Sequence, residues 1–239
     1  MLLKVEQINT FYGDSHILFD VSLEVGEHQC VALLGRNGAG KTTTFRSIMG
    51  LTAPRHGTIT YRGQPIQGKP AYWVAQQGIG LVPEERAIFP TLTVWENLDV
   101  ARKPSPEGQV EWTVERIYTL FPRLKERHNQ LGRTLSGGEQ QMLTIARTLM
   151  GNPHLLLLDE PSEGLSPIMV ETIGTLIRDL KSARIAILLA EQNLDFTLEL
   201  SEHVYIIDDG HIRFSGASVD LMAQPEIVKK YLAVQQVEE

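Results

Sequence analysis

One cysteine in 239 residues excludes an internal disulfide, and Cys30 lies in an apolar run where it reads as a small buried hydrophobe rather than a reactive thiol. No apolar stretch approaches the roughly 20 residues that a membrane-spanning helix needs. The start, Met1-Leu2-Leu3-Lys4-Val5-Glu6, lacks the basic and apolar blocks of a signal peptide. Basic residues are in the minority: 22 Lys and Arg against 29 Asp and Glu give a net charge of −7, which argues against a sequence-independent nucleic-acid binder but leaves room for a local basic patch. There is no internal repeat and no low-complexity segment. The expectation is a cytosolic protein with no nucleic-acid partner, reaching any membrane through other subunits. Its 42% hydrophobic and 21% charged residues are ordinary for a globular chain.

What the chain does have is a phosphate-binding motif. Gly35, Arg36, Asn37, Gly38, Ala39, Gly40, Lys41 and Thr42 follow GxxxxGKT, with Thr43 next. The apolar run Cys30 to Leu34 before it has the length of a strand buried on both faces, and Lys41 to Met49 after it reads as a helix closed by Gly50. Strand, glycine turn and helix aim several backbone N–H groups at one point, which suits a polyphosphate. Lys41 would reach the β- and γ-phosphates and the Thr42 hydroxyl would hold Mg²⁺. The chain is expected to bind a nucleoside triphosphate.

The remaining pattern supplies a scaffold for that site. Leu3, Val5 and Ile8 mark a first strand, Phe11-Tyr12-Gly13-Asp14 a turn, and Ile17 to Val25 an alternating, antiparallel strand. Gly57 to Gly63 reads as a strand, Pro70 to Gln77 as a short helix, and Gly78 to Val82 as a strand entering Pro83-Glu84. Residues 85–135 look helical: Thr93 to Arg102, then Val110, Val114, Ile117 and Phe121 as one stripe ended by Pro122, with Lys125 to Gln130 a solvated face. Strands return at His154 to Asp159 and Ile185 to Ala190, with a helix started by Ser166-Pro167 between them and striped by Met169, Ile173, Leu176 and Leu180. A hairpin is expected over Val204 to Asp208 and His211 to Phe214. This alternation predicts an α/β P-loop fold: a mostly parallel core sheet, an N-terminal antiparallel β-subdomain and an inserted helical subdomain. A single domain over 1–239 is expected, with 1–84 and 151–239 forming the nucleotide core and 85–150 the helical unit.

Two further motifs bear on chemistry. Asp159-Glu160 closes the run Leu155 to Leu158, placing carboxylates at the carboxyl end of a buried strand. Asp159 would hold Mg²⁺ and Glu160 would polarise an attacking water as general base. In Leu135-Ser136-Gly137-Gly138-Glu139, the Ser136 and Glu139 spacing makes a capping box, while Gly137 and Gly138 leave the helix mouth bare as a second phosphate site requires.

Tyr12, GRNGAGKT, LSGGE and LLLLDEP, in that order, strongly resemble the ATP-binding subunits of ABC transporters across essentially the whole chain. The resemblance implies two such subunits, paired as a homo- or heterodimer, with each ATP between the P-loop of one and the signature of the other. Ser136 and Gly138, within the Ser136–Glu139 signature, would then serve the γ-phosphate bound by the partner chain, and Tyr12 would stack on adenine. Three positions depart from the common family pattern: Glu84 stands where a glutamine is usual, Gln192 in Glu191-Gln192-Asn193 where a histidine is usual, and Ser166 where an aspartate is usual. With VPEER, IFP, LFPRL and AEQN, these departures are similar to the ATPases of branched-chain (hydrophobic) amino acid importers, a pattern shared in large part with urea and short-chain amide importers. Glu84 is thereby a candidate Mg²⁺ ligand and Gln192 a candidate catalytic residue orienting water or the γ-phosphate. The resemblance also implies two membrane-spanning permease subunits, reached through Arg86, Ile88 and Phe89, an extracytoplasmic solute-binding protein acting indirectly, and a place on the cytoplasmic face of the cell membrane. A non-transport ABC ATPase is the weaker alternative, lacking here the long coiled-coil inserts usual in such proteins.

Overall fold

The computed structural model describes residues 1–232, so the expected domain limit at 239 lies outside the described residues. In chain order the elements are β1 (Leu3–Tyr12), β2 (Ser15–Val25), β3 (Cys30–Leu34), α1 (Lys41–Ile48), β4 (His56–Tyr61), β5 (Gln64–Pro65), α2 (Ala71–Gln76) and β6 (Ile79–Val82). Then come α3 (Val94–Asp99), α4 (Val114–Leu120), α5 (Pro122–Glu126), α6 (Gly137–Leu149), β7 (Leu155–Asp159), α7 (Pro167–Ser182) and β8 (Ala186–Glu191). The described chain closes with α8 (Leu194–Leu200), β9 (His203–Asp208), β10 (His211–Ala217), α9 (Ser218–Met222) and α10 (Pro225–Tyr231).

Two sheets carry these strands. One is antiparallel, in the order β2-β1-β4-β5; the other runs β10-β9-β3-β8-β7-β6, parallel throughout except for the β9–β10 hairpin at its edge. The expected mixture of a mostly parallel core sheet and an antiparallel β-unit is therefore present. β3, β7 and β8 are buried at every residue, which is why each reads as an unbroken apolar run rather than an alternating one. β2 does alternate, with Val21, Leu23 and Val25 inside and Ser22 exposed. In the core sheet β8 lies between β3 and β7, so the carboxyl ends of these three strands open on one edge. Open α/β sheets bind ligands at that edge.

The helices between β6 and β7 pack Leu98, Ile117, Leu124, Leu143 and Ile145 into one apolar cluster with Leu156 and Ile187 of the core sheet. Each such side chain, fully buried, contributes about 1.5–3 kcal/mol of hydrophobic stabilisation. Asn97 is buried yet satisfied: its side chain accepts from the Phe89 N–H and donates to the carbonyls of Phe89, Leu92 and Thr93, fixing the 89–93 segment against α3.

Several expected boundaries move. β1 continues through Phe11 and Tyr12, leaving only Gly13 and Asp14 for the turn, because Tyr12 pairs with Ser15 across it. The helix expected from Val110 begins at Val114, since the Thr113 hydroxyl accepts the Arg116 N–H and caps it there; Val110 lies outside and is exposed. Pro122 does not simply end that helix but occupies the first turn of α5, where its missing N–H costs nothing. α3 stops at Asp99 rather than Arg102. Ser166 stands at the start of α7 without a side-chain capping bond.

Candidate nucleotide site

The glycine loop is shaped by close approach and by backbone sign. A Cβ at Gly35 would lie 2.5 Å from the carbonyl oxygen of Ile207, so no side chain fits there. Gly38 and Gly40 take φ of 79° and 115°, conformations open to glycine, and the loop turns directly into α1 at Lys41. The first turn of α1 has no side-chain cap, so its N–H groups are left to an anion.

Lys41 is gathered inward. Its ammonium donates to the carbonyls of Gly35 (2.7 Å) and Arg36 (2.9 Å) and pairs with Glu160 at 3.0 Å. Only 3% of the Lys41 side chain and 4% of the Glu160 side chain are exposed, so this ion pair is screened little by solvent. Glu160 also accepts a hydrogen bond from the Gln192 side-chain amide at 3.2 Å. Two residues separated by 32 positions in the chain, both expected to act on the attacking water, thus touch. Glu160 holds φ of 46°, a left-handed conformation uncommon for a residue with a Cβ, and its N–H is pinned to the Ala190 carbonyl at 2.9 Å.

Asp159 closes β7 with 2% of its surface exposed, and its Oδ1 has no hydrogen-bond partner among the described residues. Burial pushes its carboxyl up to about 6, against the pull of the neighbouring Thr42 hydroxyl. Magnesium would suit this arrangement, since a buried, unpartnered carboxylate oxygen next to a threonine hydroxyl offers the hard oxygen ligands that Mg²⁺ prefers. Among the described residues there is no group of three or more His, Cys, Asp or Glu side chains that would hold a metal unaided. A sign follows for stability. Because folding raises the Asp159 pKa, the metal-free fold loses stability as pH rises from about 4 to about 6, and the full penalty persists above that. Asp159→Asn is therefore expected to raise the melting temperature of the nucleotide-free, metal-free protein at pH 8 by several degrees, with a smaller gap at pH 5. Calorimetry at the two pH values checks it.

Glu84 is exposed and lines the P-loop cleft together with Asn37, Lys41, Thr42 and Glu160. A contiguous cleft adds Glu163 and the almost fully buried Gln141. The Glu163 carboxyl is pushed up to about 7, first by its hydrogen bond with Glu160 and then by burial. Glu163 was not expected at the site from sequence; its only signal is an acidic residue three positions after Glu160 in a tight turn. Glu191 was also missed. Its carboxylate is buried at the end of β8, and the signal was an acidic residue terminating an otherwise apolar run.

The signature residues are not among those lining either cleft. Ser136 and Glu139 form the expected capping box: the Glu139 N–H donates to Ser136 Oγ (3.3 Å), and Glu139 Oε2 accepts from the Ser136 N–H (2.8 Å) and hydroxyl (2.9 Å). The guanidinium of Arg86 packs over Gly137 and the Met169 side chain over Gly138. Ser136, Gly137, Gly138 and Glu139 do not line the P-loop cleft. Tyr12 does not line it either; its ring is 43% exposed near the tip of the β1–β2 hairpin. Ile88 is half-buried against the helical cluster, while Phe89 is exposed with the Arg147 guanidinium 4.7 Å above its ring.

Comparison with known proteins bears on family and fold. The ABC transporter family pattern matches residues 18–163. The chain is 38% identical to the high-affinity branched-chain amino acid transport ATP-binding protein BraG of Pseudomonas aeruginosa, over 97% of this chain and 99% of that protein. It is 37% identical to the lipopolysaccharide export system ATP-binding protein LptB of Haemophilus influenzae, over 98% of each. Among solved structures, a nucleotide-free ATP-binding cassette from an ABC transporter superposes with a TM-score of 0.81 at 24% identity, covering 98% of this chain and 99% of that one, a likeness of fold.

Proposed function

This chain belongs to the ABC transporter family and is an ATP-hydrolysing subunit of a transporter, and on that premise we propose that the transporter imports branched-chain amino acids. The identity to BraG along nearly the full length supports the substrate class. Within the chain, the observation that carries the mechanism is the contact of Glu160 with both Lys41 and Gln192.

Lys41 trades its loop carbonyls and Glu160 for the β- and γ-phosphate oxygens of ATP. That exchange frees the Glu160 carboxylate to take a proton from the attacking water as the water oxygen bonds to the γ-phosphorus and the bond to ADP breaks. Gln192 donates from its amide to orient the water or the phosphate. Thr42 and Asp159, with Glu84 at the cleft's edge, would hold Mg²⁺, which supplies charge neutralisation across the phosphates. Gly35 to Thr43 wrap the phosphates and Tyr12 stacks on adenine. Ser136, Gly137, Gly138 and Glu139 of a second ATPase subunit complete each site, so ATP binds the closed pair better than the open one, the differential affinity a ligand-driven motion requires. Residues 85–150 act as the moving helical unit upon the core of 1–84 and 151–239.

Gln192 stays neutral where a histidine would titrate near pH 6.5. Gln192→His is accordingly expected to make kcat vary with pH between about 5.5 and 7.5, a dependence weaker in the wild type; steady-state ATPase profiles of the two proteins test it, and superimposable profiles would contradict the role.

The partners in this reading are a second ATPase, two permease subunits that meet Arg86, Ile88 and Phe89 at the cytoplasmic face of the membrane, and a solute-binding protein that acts through the permeases. None of the described helices is long and apolar enough to cross a membrane, consistent with attachment through partners. A second reading, lipopolysaccharide export, is favoured by the identity to LptB. Copurifying the membrane subunits, reconstituting them with the chain, and assaying labelled leucine uptake against lipopolysaccharide release separates the two. Uptake of urea or short amides without leucine would move the substrate class while keeping the importer.

A further inference from the structure

Glu191 touches all three loops meeting at the nucleotide site. It closes β8, the strand lying between β3 and β7, and is 1% exposed. Its main-chain carbonyl accepts the N–H of Gly35, the first residue of the glycine loop, at 3.2 Å. Its side chain is divided between the other two loops: Oε1 accepts the Ser162 N–H at 3.2 Å, in the turn after β7, and Oε2 accepts the Gln192 N–H at 3.2 Å, in the turn after β8. Next to these contacts, Glu160 donates its N–H to the Ala190 carbonyl and accepts from the Gln192 amide. A buried carboxylate with both oxygens committed to peptide N–H groups is a rigid tie, because losing either bond leaves a buried polar group unpaired.

We propose that Glu191 is a positioning residue for ATP hydrolysis, locking the turn that carries Glu160 to the turn that carries Gln192 so that their side chains meet at the attacking water. The inference rests on the role given above to Gln192. Nothing in it requires Glu191 to touch ATP. Its carboxylate faces peptide groups, and the two reacting side chains lie beyond them. A purely structural carboxylate would stabilise the fold without regard to Gln192; a positioning one acts through Gln192, and that difference can be measured.

The experiment is a double-mutant cycle on the full chain, assembled with the membrane subunits that copurify with it, reading kcat, KM for ATP and melting temperature. Glu191→Gln replaces one acceptor oxygen with an NH2 that opposes a peptide N–H, and is expected to lower kcat about ten- to a hundredfold by misplacing the reacting pair. KM should stay within about twofold, since the interaction matters in the transition state rather than in binding. Gln192→Ala should lower kcat by itself, and Glu191→Gln added to it should lower kcat by no more than about twofold further. Glu191→Asp keeps two acceptor oxygens on a shorter arm and should recover part of the lost kcat, which keeps the test open if Glu191→Gln does not fold. Multiplicative losses in the double variant, wild-type kcat in Glu191→Gln, equal kcat in the Asp and Gln variants, or kcat, KM and melting temperature falling together would each overturn the proposal. A Gln192→Ala variant with wild-type kcat would instead remove the role of Gln192, and the inference with it; a damaged Gln192→Ala beside a silent Glu191→Gln removes Glu191 alone.

Discussion

Glu160→Gln is expected to cut ATP turnover by about two to four orders of magnitude, the contribution of a well-placed general base, while ATP stays bound. The substitution is nearly isosteric and its environment tolerates it. Lys41 keeps two carbonyl acceptors at 2.7 and 2.9 Å when the carboxylate charge goes, and the Gln192 amide can still donate to the side-chain oxygen at position 160. Removing the Glu160 charge also relieves its repulsion of Asp159 and Glu163, a smaller cause of their raised pKa values than burial at Asp159 and the hydrogen bond with Glu160 at Glu163. The loss should therefore appear in kcat and not in the nucleotide affinity. Phosphate release and equilibrium titration with a fluorescent ATP analogue measure the two sides. Turnover at the wild-type rate would remove Glu160 from the chemistry.

Lys41→Ala is expected to do the converse, damaging both affinity and fold. Loss of charge-assisted hydrogen bonds to phosphate should weaken ATP binding about ten- to a hundredfold. Without its ammonium, the Glu160 carboxylate is left with 4% side-chain exposure and no cation at 3.0 Å. Breaking a buried pair from one side costs about 3–5 kcal/mol, because an uncompensated charge stays behind. The double variant Lys41→Ala/Glu160→Gln separates the two effects: it should recover most of the lost melting temperature and none of the lost affinity. Recovery of binding in the double variant, or an unchanged melting temperature in Lys41→Ala, would contradict the pairing.

These two predictions use residues that the sequence placed at the site, and the reason they could be read is local. A glycine loop between a buried strand and a helix needs only its own spacing to be recognised, and a capping box such as Ser136 with Glu139 is settled within four residues. Apolar runs gave β3, β7 and β8 for the same reason: strands covered on both faces are apolar up to the acidic residue that closes β7 and β8. What could not be read depends on contacts between distant segments. Glu191 ties Gly35, Ser162 and Gln192 together only because β8 lies between β3 and β7, an order that no periodicity encodes. Glu163 comes beside Glu160 because the turn after β7 folds back on itself, with the Glu163 N–H bonded to the Glu160 carbonyl at 3.1 Å. The early start assigned to α4 failed for a smaller reason: Val110 continues the apolar spacing, but the Thr113 cap decides where the helix begins.

Ser136 does not line the P-loop cleft of its own chain, and the proposed function assigns the signature to a second chain's nucleotide. The most direct measurement is the structure of the Glu160→Gln protein trapped with ATP and Mg²⁺. Two chains should enclose each nucleotide, with Lys41 of one and Ser136 of the other both against the γ-phosphate. A single chain making every phosphate contact, with Ser136 far from any nucleotide, would contradict the account.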